Sequence, residues 1–304
     1  MNGAISLLER VGIATVSIHS QIPHSHPSVA MGLGPERRGT GTLVSADGLI
    51  VTVNYMVIGA ENVMVTFTDG RQAPARVVAR DFTTSLGVLQ VEGNNHPHLE
   101  VTSSAAASLG QEVLILSSLG AEKRCADTGI ITYLGPFDAA WEFVLDRCVC
   151  VMASANTDRI GLSGGPILNS KGQILAFSYL NFPDLLRPIL AIPGECFLSG
   201  RDELVRHGHR VSIPPRLWLG VLSYTLREHV VIAAVVPGSP GEKAGLQQGD
   251  LVLTADGNEI HERRALYEAI NSHRPGERIQ LRILRKNQVH NLEIAAIVVD
   301  EYLG

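Results

Sequence analysis

The sequence predicts a mostly-β chain in two domains, and three observations carry that reading. Short runs rich in Val, Ile and Leu recur at close intervals, with Gly, Asp and Pro turn signals between them. Aromatic residues are sparse at 5% while Gly is plentiful, a mix that suits strands joined by tight turns. The pattern changes near residue 200, and 304 residues are enough for two separate cores.

Taken in order, Ser6 to Arg10 is a short helical or extended opening, and residues 11–18 (VGIATVSI) read as a first strand. Residues 20–39 carry Pro, His, Gly and Ser without periodicity and read as a surface loop, with His24 and His26 solvated in it. Strand-like runs follow at 41–44, 49–52, 63–67, 75–79, 86–91, 112–116 and 128–133, with turns at Asp47-Gly48 and Asp69-Gly70. A last pair, 165–168 and 173–176, flanks the turn Ser170-Lys171-Gly172. Residues 1–200 therefore predict a barrel or sandwich. Arg201–Arg206 predicts a short charged helix, and 201–215 a polar, proline-bearing linker. Residues 216–300 form a second domain. There Trp218-Leu219-Gly220-Val221 precedes a strand at 229–236, one helical turn at Glu242–Leu246 and a strand at 250–254. A helix over about 263–272 puts Leu266 and Ile270 on one face, and a strand follows at 278–284.

Bulk properties exclude several functions. A net charge of −5 argues against a nucleic-acid surface, which needs concentrated Lys and Arg. No apolar stretch reaches the roughly 18 residues of a membrane span. Four cysteines in a chain this long are no disulfide framework. Cys148 and Cys150 share one face of a strand, and no ligand spacing for zinc accompanies them, so the expectation is reduced thiols, no metal and no cofactor. The N-terminus has no basic-then-apolar leader, so with Met1 as the natural start the expected compartment is the cytoplasm.

The sharpest chemical signal is Gly161-Leu162-Ser163-Gly164-Gly165-Pro166. Glycines around a nucleophilic serine let backbone amides approach closely enough to form an oxyanion hole. By itself the string fits a plain Gly-rich turn equally well. Its surroundings weigh in. Residues 39–60 (GTGTLVSADGLIVTVNYMVIGA) closely resemble the histidine-bearing region of HtrA/DegP-type serine proteases. Residues 81–89 (DFTTSLGVL) resemble that family's aspartate region, and 161–168 with 191–193 its serine region. Residues 216–298 resemble the PDZ domain that follows in the family, through 236–240 (VPGSP) and 242–246 (EKAGL). The resemblance implies a trypsin-like double β-barrel followed by an α+β PDZ domain.

The likeness fails at the triad. The family's N-H-V-V reads Asn54-Tyr55-Met56-Val57, so Tyr55 stands at the histidine position. Its T-D-L-A-V-L reads Thr84-Ser85-Leu86-Gly87-Val88-Leu89, which puts Ser85 at the aspartate. Leu162 replaces the usual Asn before the nucleophile; Ser163 survives, with Gly161 as an oxyanion-hole backbone. A serine hydroxyl needs a neighbouring base, and tyrosine, titrating near 10, is almost wholly protonated at neutral pH. In a well-studied protease, losing the histidine costs on the order of 10⁶ in turnover, roughly 8 kcal/mol. None of His19, His96, His98, His207 or His209 lies in a segment that the family places at the cleft. Residues 178–190, with Phe182, Leu185, Leu186 and Leu190, fall where the family builds its specificity pocket; a plug, a sticky surface and a loop packed on the core all fit.

In the PDZ-like region, Trp218, Leu219, Gly220 and Val221 match the family's carboxylate loop. Leu219, Val221, Leu266 and Ile270 would line the pocket for a last side chain, with some of them also core. Arg263 and Arg264 would favour an acidic residue upstream in the peptide. The implied partners are unfolded polypeptides or protein C-termini and an active relative, with trimers common in the family. The expected function is a pseudoprotease; the alternative is an active endopeptidase using Ser163 with another base.

Overall fold

The computed structural model describes residues 2–121, 123–139, 143–154, 161–181 and 188–304. The chain divides into two compact units. One is drawn from Met1–His24, Leu33–Phe137 and Asp146–Val211, and the other mainly from Ser212–Gly304.

In the first unit α1 (Asn2–Gly12) precedes β1 (Thr15–Gln21), β2 (Glu36–Leu43), β3 (Leu49–Val53), β4 (Asn62–Thr66), β5 (Gln72–Asp81) and β6 (Leu86–Val91). The apolar run 11–18 is shared: Val11 is buried in the helix, and the strand starts only where Thr15, Val16 and Ile18 concentrate β-branching. β2 starts earlier than expected, because β1 pairs with it from Thr15↔Thr42 to Gln21↔Glu36 and draws residues 36–39 out of the loop. The order β1-β2-β3-β6-β5-β4 closes a barrel, and Val16, Ile18, Leu43, Ile50, Val51, Leu86 and Val88 are fully buried along its strands.

A second closed barrel follows, of β7 (Glu112–Ser118), β8 (Arg124–Ala139), β9 (Phe143–Ala153), β10 (Pro166–Leu168), β11 (Ile174–Asn181) and β12 (Pro188–Pro193). Val113, Ile115, Ile131, Val149, Val151, Ile167 and Ala191 share its core. Of the apolar segment at 178–190, Ser178, Tyr179 and Leu190 are buried in this barrel, while Phe182, Leu185 and Leu186 lie outside the described residues.

The short helices α2 (Gly194–Leu198) and α3 (Arg201–His207) come next, α3 stopping at Gly208 in a left-handed cap with φ 77°. Arg210, read from sequence as a linker charge, donates from Nε to Asp81 at 2.8 Å. Asp81 is buried and Arg210 largely so, which makes Arg210 an anchor inside the first unit.

The second unit contains β13 (Leu217–Trp218), β14 (Val221–Leu226), β15 (His229–Val235), α4 (Pro240–Lys243), β16 (Leu251–Ala255) and β17 (Asn258–Glu259). It continues with α5 (Arg263–Asn271), β18 (Arg278–Arg285), β19 (Gln288–Ala295), β20 (Ile297–Val298) and α6 (Val299–Leu303). The main sheet runs β14-β15-β16-β18-β19, with β14 at one edge, and β13 pairs with β20. α5 lies beside β14, its first amide (Arg263) donating to Thr225 Oγ1 at 2.9 Å. Among the described residues, no helix of the chain is long and apolar enough to cross a membrane.

Candidate functional site

Two sites were expected, one in each unit. In the first, the loop 161–165 is held by packing between the barrels. A Cβ on Gly164 would stand 2.1 Å from the Thr40 carbonyl oxygen and 2.3 Å from Thr52 Oγ1, and one on Gly165 would stand 2.2 Å from the Leu116 carbonyl. Only glycine fits at either position. Thr40, on β2, ties the loop further. Its amide donates to the Ser163 carbonyl at 2.8 Å, its hydroxyl donates to the Gly161 carbonyl, and the Ser118 amide donates to that hydroxyl at 2.8 Å.

The backbone direction follows from these bonds. The Leu162 carbonyl accepts from the Gly165 amide at 2.8 Å, and in a trans peptide the next N–H points the opposite way. The Ser163 amide therefore faces away from the loop interior. Among the described residues neither it nor the Gly161 amide meets an acceptor. Gly161 sits at φ 79°, outside the ordinary range for an L side chain. Leu162 is buried in the second barrel's core.

The neighbour of the Ser163 hydroxyl is a phenol. Tyr55 lies on a single 3₁₀ turn after β3, which Arg37 clamps by donating from Nη1 to the Tyr55 and Ile58 carbonyls at 2.5 and 3.0 Å. The Tyr55 hydroxyl stands 2.5 Å from Ser163 Oγ and 2.8 Å from the Tyr179 carbonyl oxygen. A phenol has one proton and a carbonyl can only accept. The Tyr55 proton therefore goes to Tyr179, and the Ser163 hydroxyl supplies the proton of the bond they share. The Tyr55 ring also meets Tyr179 edge-on at 5.3 Å. Desolvation pushes the Tyr55 pKa up to about 12, against a smaller lowering by the Ser163 hydrogen bond. Neutral phenol at pH 7 holds the serine proton in place but does not remove it.

Among the described residues no carboxylate backs this pair. Ser85 is buried at φ 63°, and its carbonyl accepts from the Asn54 amide at 2.8 Å. Asp81, four residues earlier, accepts from the Thr83 amide, the Thr84 hydroxyl and Arg210 Nε, all within 2.9 Å. Among the described residues no histidine reaches Ser163. His19 pairs with Glu36, His96 stacks on Phe67, and His98 bonds to the His96 carbonyl. Nor is there a group of three metal-binding side chains among them.

The second site is the loop 218–221. Gly220 has φ 78°, and a Cβ there would stand 2.0 Å from Ser239 Cβ. The Leu219 carbonyl accepts from the Gly241 amide at 2.7 Å, and the Gly220 carbonyl accepts from the Val236 amide at 2.8 Å and the Ser239 hydroxyl at 3.3 Å. Both carbonyls thus turn toward the 236–241 segment, so the Gly220 and Val221 amides turn the other way. The Gly220–Val236 bond also makes Val221↔Val235 a non-hydrogen-bonded pair, which directs the Val221 amide out from the edge of the sheet. The result is a small nest of N–H groups at the head of an open edge strand, an arrangement that suits a carboxylate.

Side chains at this site serve packing more than sequence suggested. Leu219, Val221, Leu266 and Ile270 all belong to the domain core. Trp218 is buried against the Tyr302 ring at 4.9 Å and supports the loop by packing. Arg263, expected at the surface, is only 2% exposed, its guanidinium 4.7 Å from the Tyr267 ring centre; the aromatic face draws it inward. Arg264 is partly exposed and pairs with Glu268 at 3.0 Å. Sequence reasoning missed Thr40, Arg37, the Tyr179 carbonyl and β14. Thr40 stands inside the glycine-rich run 39–42, a usable signal; Arg37 acts through its guanidinium on carbonyls about twenty residues away, and the Tyr179 carbonyl and β14 act through backbone atoms and register, so none of them leaves a local signature.

Comparison with known proteins agrees with this architecture. A trypsin-like peptidase domain matches residues 39–176, and a PDZ domain matches residues 218–296. The class is thus a trypsin-like serine protease fold joined to a PDZ domain. A probable periplasmic serine endoprotease of DegP type from Halomonas elongata is 30% identical over 287 residues, covering 88% of this chain and 58% of that protein. The corresponding Hahella chejuensis protein is 28% identical over 280 residues, covering 86% and 58%. The chain thus spans less than two thirds of the length of the curated relatives it matches. Among solved structures, an HtrA-type protease, AlgW, with a tripeptide has a TM-score of 0.59 at 23% identity, covering 96% of both chains. The serine endoprotease from Yersinia pestis gives 0.58 at 24%, covering 96% of this chain and 97% of that one. These structures share the fold. This chain belongs to the HtrA/DegP-like family. The cytoplasmic expectation is corrected by the relatives, which are described as periplasmic; the residues that follow Met1 carry no information on compartment.

Proposed function

We propose that this chain is a catalytically inactive HtrA-like protein, a pseudoprotease that binds exposed or C-terminal segments of other polypeptides. Tyr55 and Ser85 stand in it for the base and its orienter. The observation that carries the reading is the Tyr55 hydroxyl bonded to Ser163 Oγ at 2.5 Å, in the place where a base has to be. Ser163, Gly161 and the loop around them then act as a scaffold. Peptide binding falls to the nest at Gly220 and Val221 and the open edge of β14, with Leu219, Leu266 and Ile270 as the floor. Its partners are unfolded chains or C-termini and an active member of the same family, in the periplasmic compartment named for the relatives, and the expected assembly is a trimer.

A second reading, an active endopeptidase through Ser163, is favoured by the unengaged Gly161 and Ser163 amides and by the relatives' descriptions. One experiment separates the two. Purified protein is exposed to a fluorophosphonate probe and to unfolded casein, beside a Ser163→Ala variant, while binding of fluorescent peptides with free and amidated C-termini is followed by polarisation. Binding of the free-carboxylate peptide with neither labelling nor cleavage supports the proposal. Labelling and cleavage that vanish in the variant overturn it.

A further inference from the structure

Cys148 and Cys150 project from the same side of β9, opposite the barrel core that Val149 and Val151 enter, and their sulfurs lie 3.8 Å apart. Cys148 is fully buried and Cys150 half-buried; both are free thiols. The two differ chemically. The Cys148 thiol hydrogen-bonds to the Cys150 sulfur, which lowers the Cys150 pKa and raises that of Cys148. The more accessible sulfur is thus also the better thiolate. We propose that Cys148 and Cys150 form a redox site, a dithiol that closes reversibly to a disulfide by exchange with a small disulfide oxidant.

The exchange balances in two steps. The Cys150 thiolate attacks one sulfur of the oxidant, forming a mixed disulfide and expelling one oxidant thiolate. Cys148 then gives up its proton and attacks the Cys150 sulfur, expelling the second thiolate. Two protein thiols become one disulfide, and the oxidant becomes two thiols.

Strand geometry decides what kind of bridge this is. Alternate residues on a strand lie about 6.6 Å apart at Cα, near the upper limit of about 6.8 Å that a disulfide tolerates. Closure therefore pinches β9 at Val149, a core residue paired with Ala191 on β12. The loop closed is three residues long, so a bridge would constrain the unfolded chain little. A strained bridge with little to stabilise it is labile, and this marks a reversible site rather than a structural staple.

The test uses the whole chain and does not depend on peptide binding or on Ser163. Reduced protein is equilibrated with oxidised glutathione, free thiols are alkylated under denaturing conditions, and the tryptic peptide that follows Arg147 is analysed by mass. The expected result is loss of two hydrogens from that peptide, reversed by dithiothreitol, while the exposed Cys125 carries a glutathione adduct. A Cys148→Ala variant should instead keep the adduct on Cys150, because nothing resolves it. Two alkylated thiols in the wild-type peptide, or a lasting adduct on Cys150, would overturn the proposal. The wild-type measurement decides the matter even where the variant fails to fold.

Discussion

The Ser163 loop and the Gly220 loop are built alike and carry different chemistry. In each, a glycine held at positive φ is enclosed by neighbours that leave no room for a Cβ, and nearby carbonyls are pinned so that free amides turn outward. At Gly220 such amides would suffice, because binding a carboxylate needs only N–H donors and an open strand edge. At Ser163 they are not enough, because acyl transfer also needs a base to take the serine proton. On the proposed reading a backbone site outlasts a side-chain site: packing enforces the first, while Tyr55 and Ser85 in place of a base and its orienter would remove the second and leave both barrels closed.

The largest expected effect tests whether only side chains are missing. Tyr55→His combined with Ser85→Asp should raise fluorophosphonate labelling of Ser163 by on the order of 10³-fold or more, with either change alone giving less. Aspartate is tolerated at the left-handed φ of residue 85. No gain from the double variant would mean that the backbone at 161–165 is also unfit, and the comparison would break.

Next come the glycines themselves. Gly164→Ala drives a Cβ into the Thr40 carbonyl and Gly220→Ala drives one into Ser239, and each combines left-handed strain with overpacking. Each should lower stability by about 3 kcal/mol in urea unfolding. Gly220→Ala should also abolish peptide binding, which Gly164→Ala should leave in place. Equal loss of binding in both would remove the distinction between the sites.

The buried phenol adds a pH signature. Its pKa rises from about 10 in the unfolded chain to about 12 in the fold, so the folded state keeps its proton through a window in which the unfolded state loses it. The contribution is complete below about pH 10 and is lost as pH climbs from 10 to 12, by a few kcal/mol at most. A Tyr55→Phe variant should show a correspondingly shallower loss of stability over that range; parallel curves would show that Tyr55 titrates normally. The smallest change is Ser239→Ala, which removes one of the two donors to the Gly220 carbonyl. Peptide affinity measured by polarisation should weaken by about 1 kcal/mol, several-fold, and an unchanged affinity would show that the Val236 amide orients the nest alone.

Much of this is legible in the sequence. Residues 161–166 announce a serine loop because only glycine can sit at 164 and 165, a constraint that packing writes directly into the sequence. The strands are legible from β-branched runs, and Tyr55 and Ser85 stand where the resemblance implies a histidine and an aspartate. The burial of Trp218, Arg263 and Arg210 is not legible in the sequence because it depends on a distant partner: Tyr302, Tyr267 and Asp81 respectively. The register that recruits residues 36–39 into β2 was equally hidden.

The sequence by itself determined the family and the double barrel with its PDZ domain, since local propensity, glycine spacing and residue identity carry those facts. Only the tertiary structure decided that the Tyr55 hydroxyl lies against Ser163, that Asp81 is committed to Arg210, and that the amides of Gly220 and Val221 face outward. These are relations between atoms far apart in the chain or between successive peptide planes, and they are fixed by packing and hydrogen-bond direction rather than by the identity of any one residue.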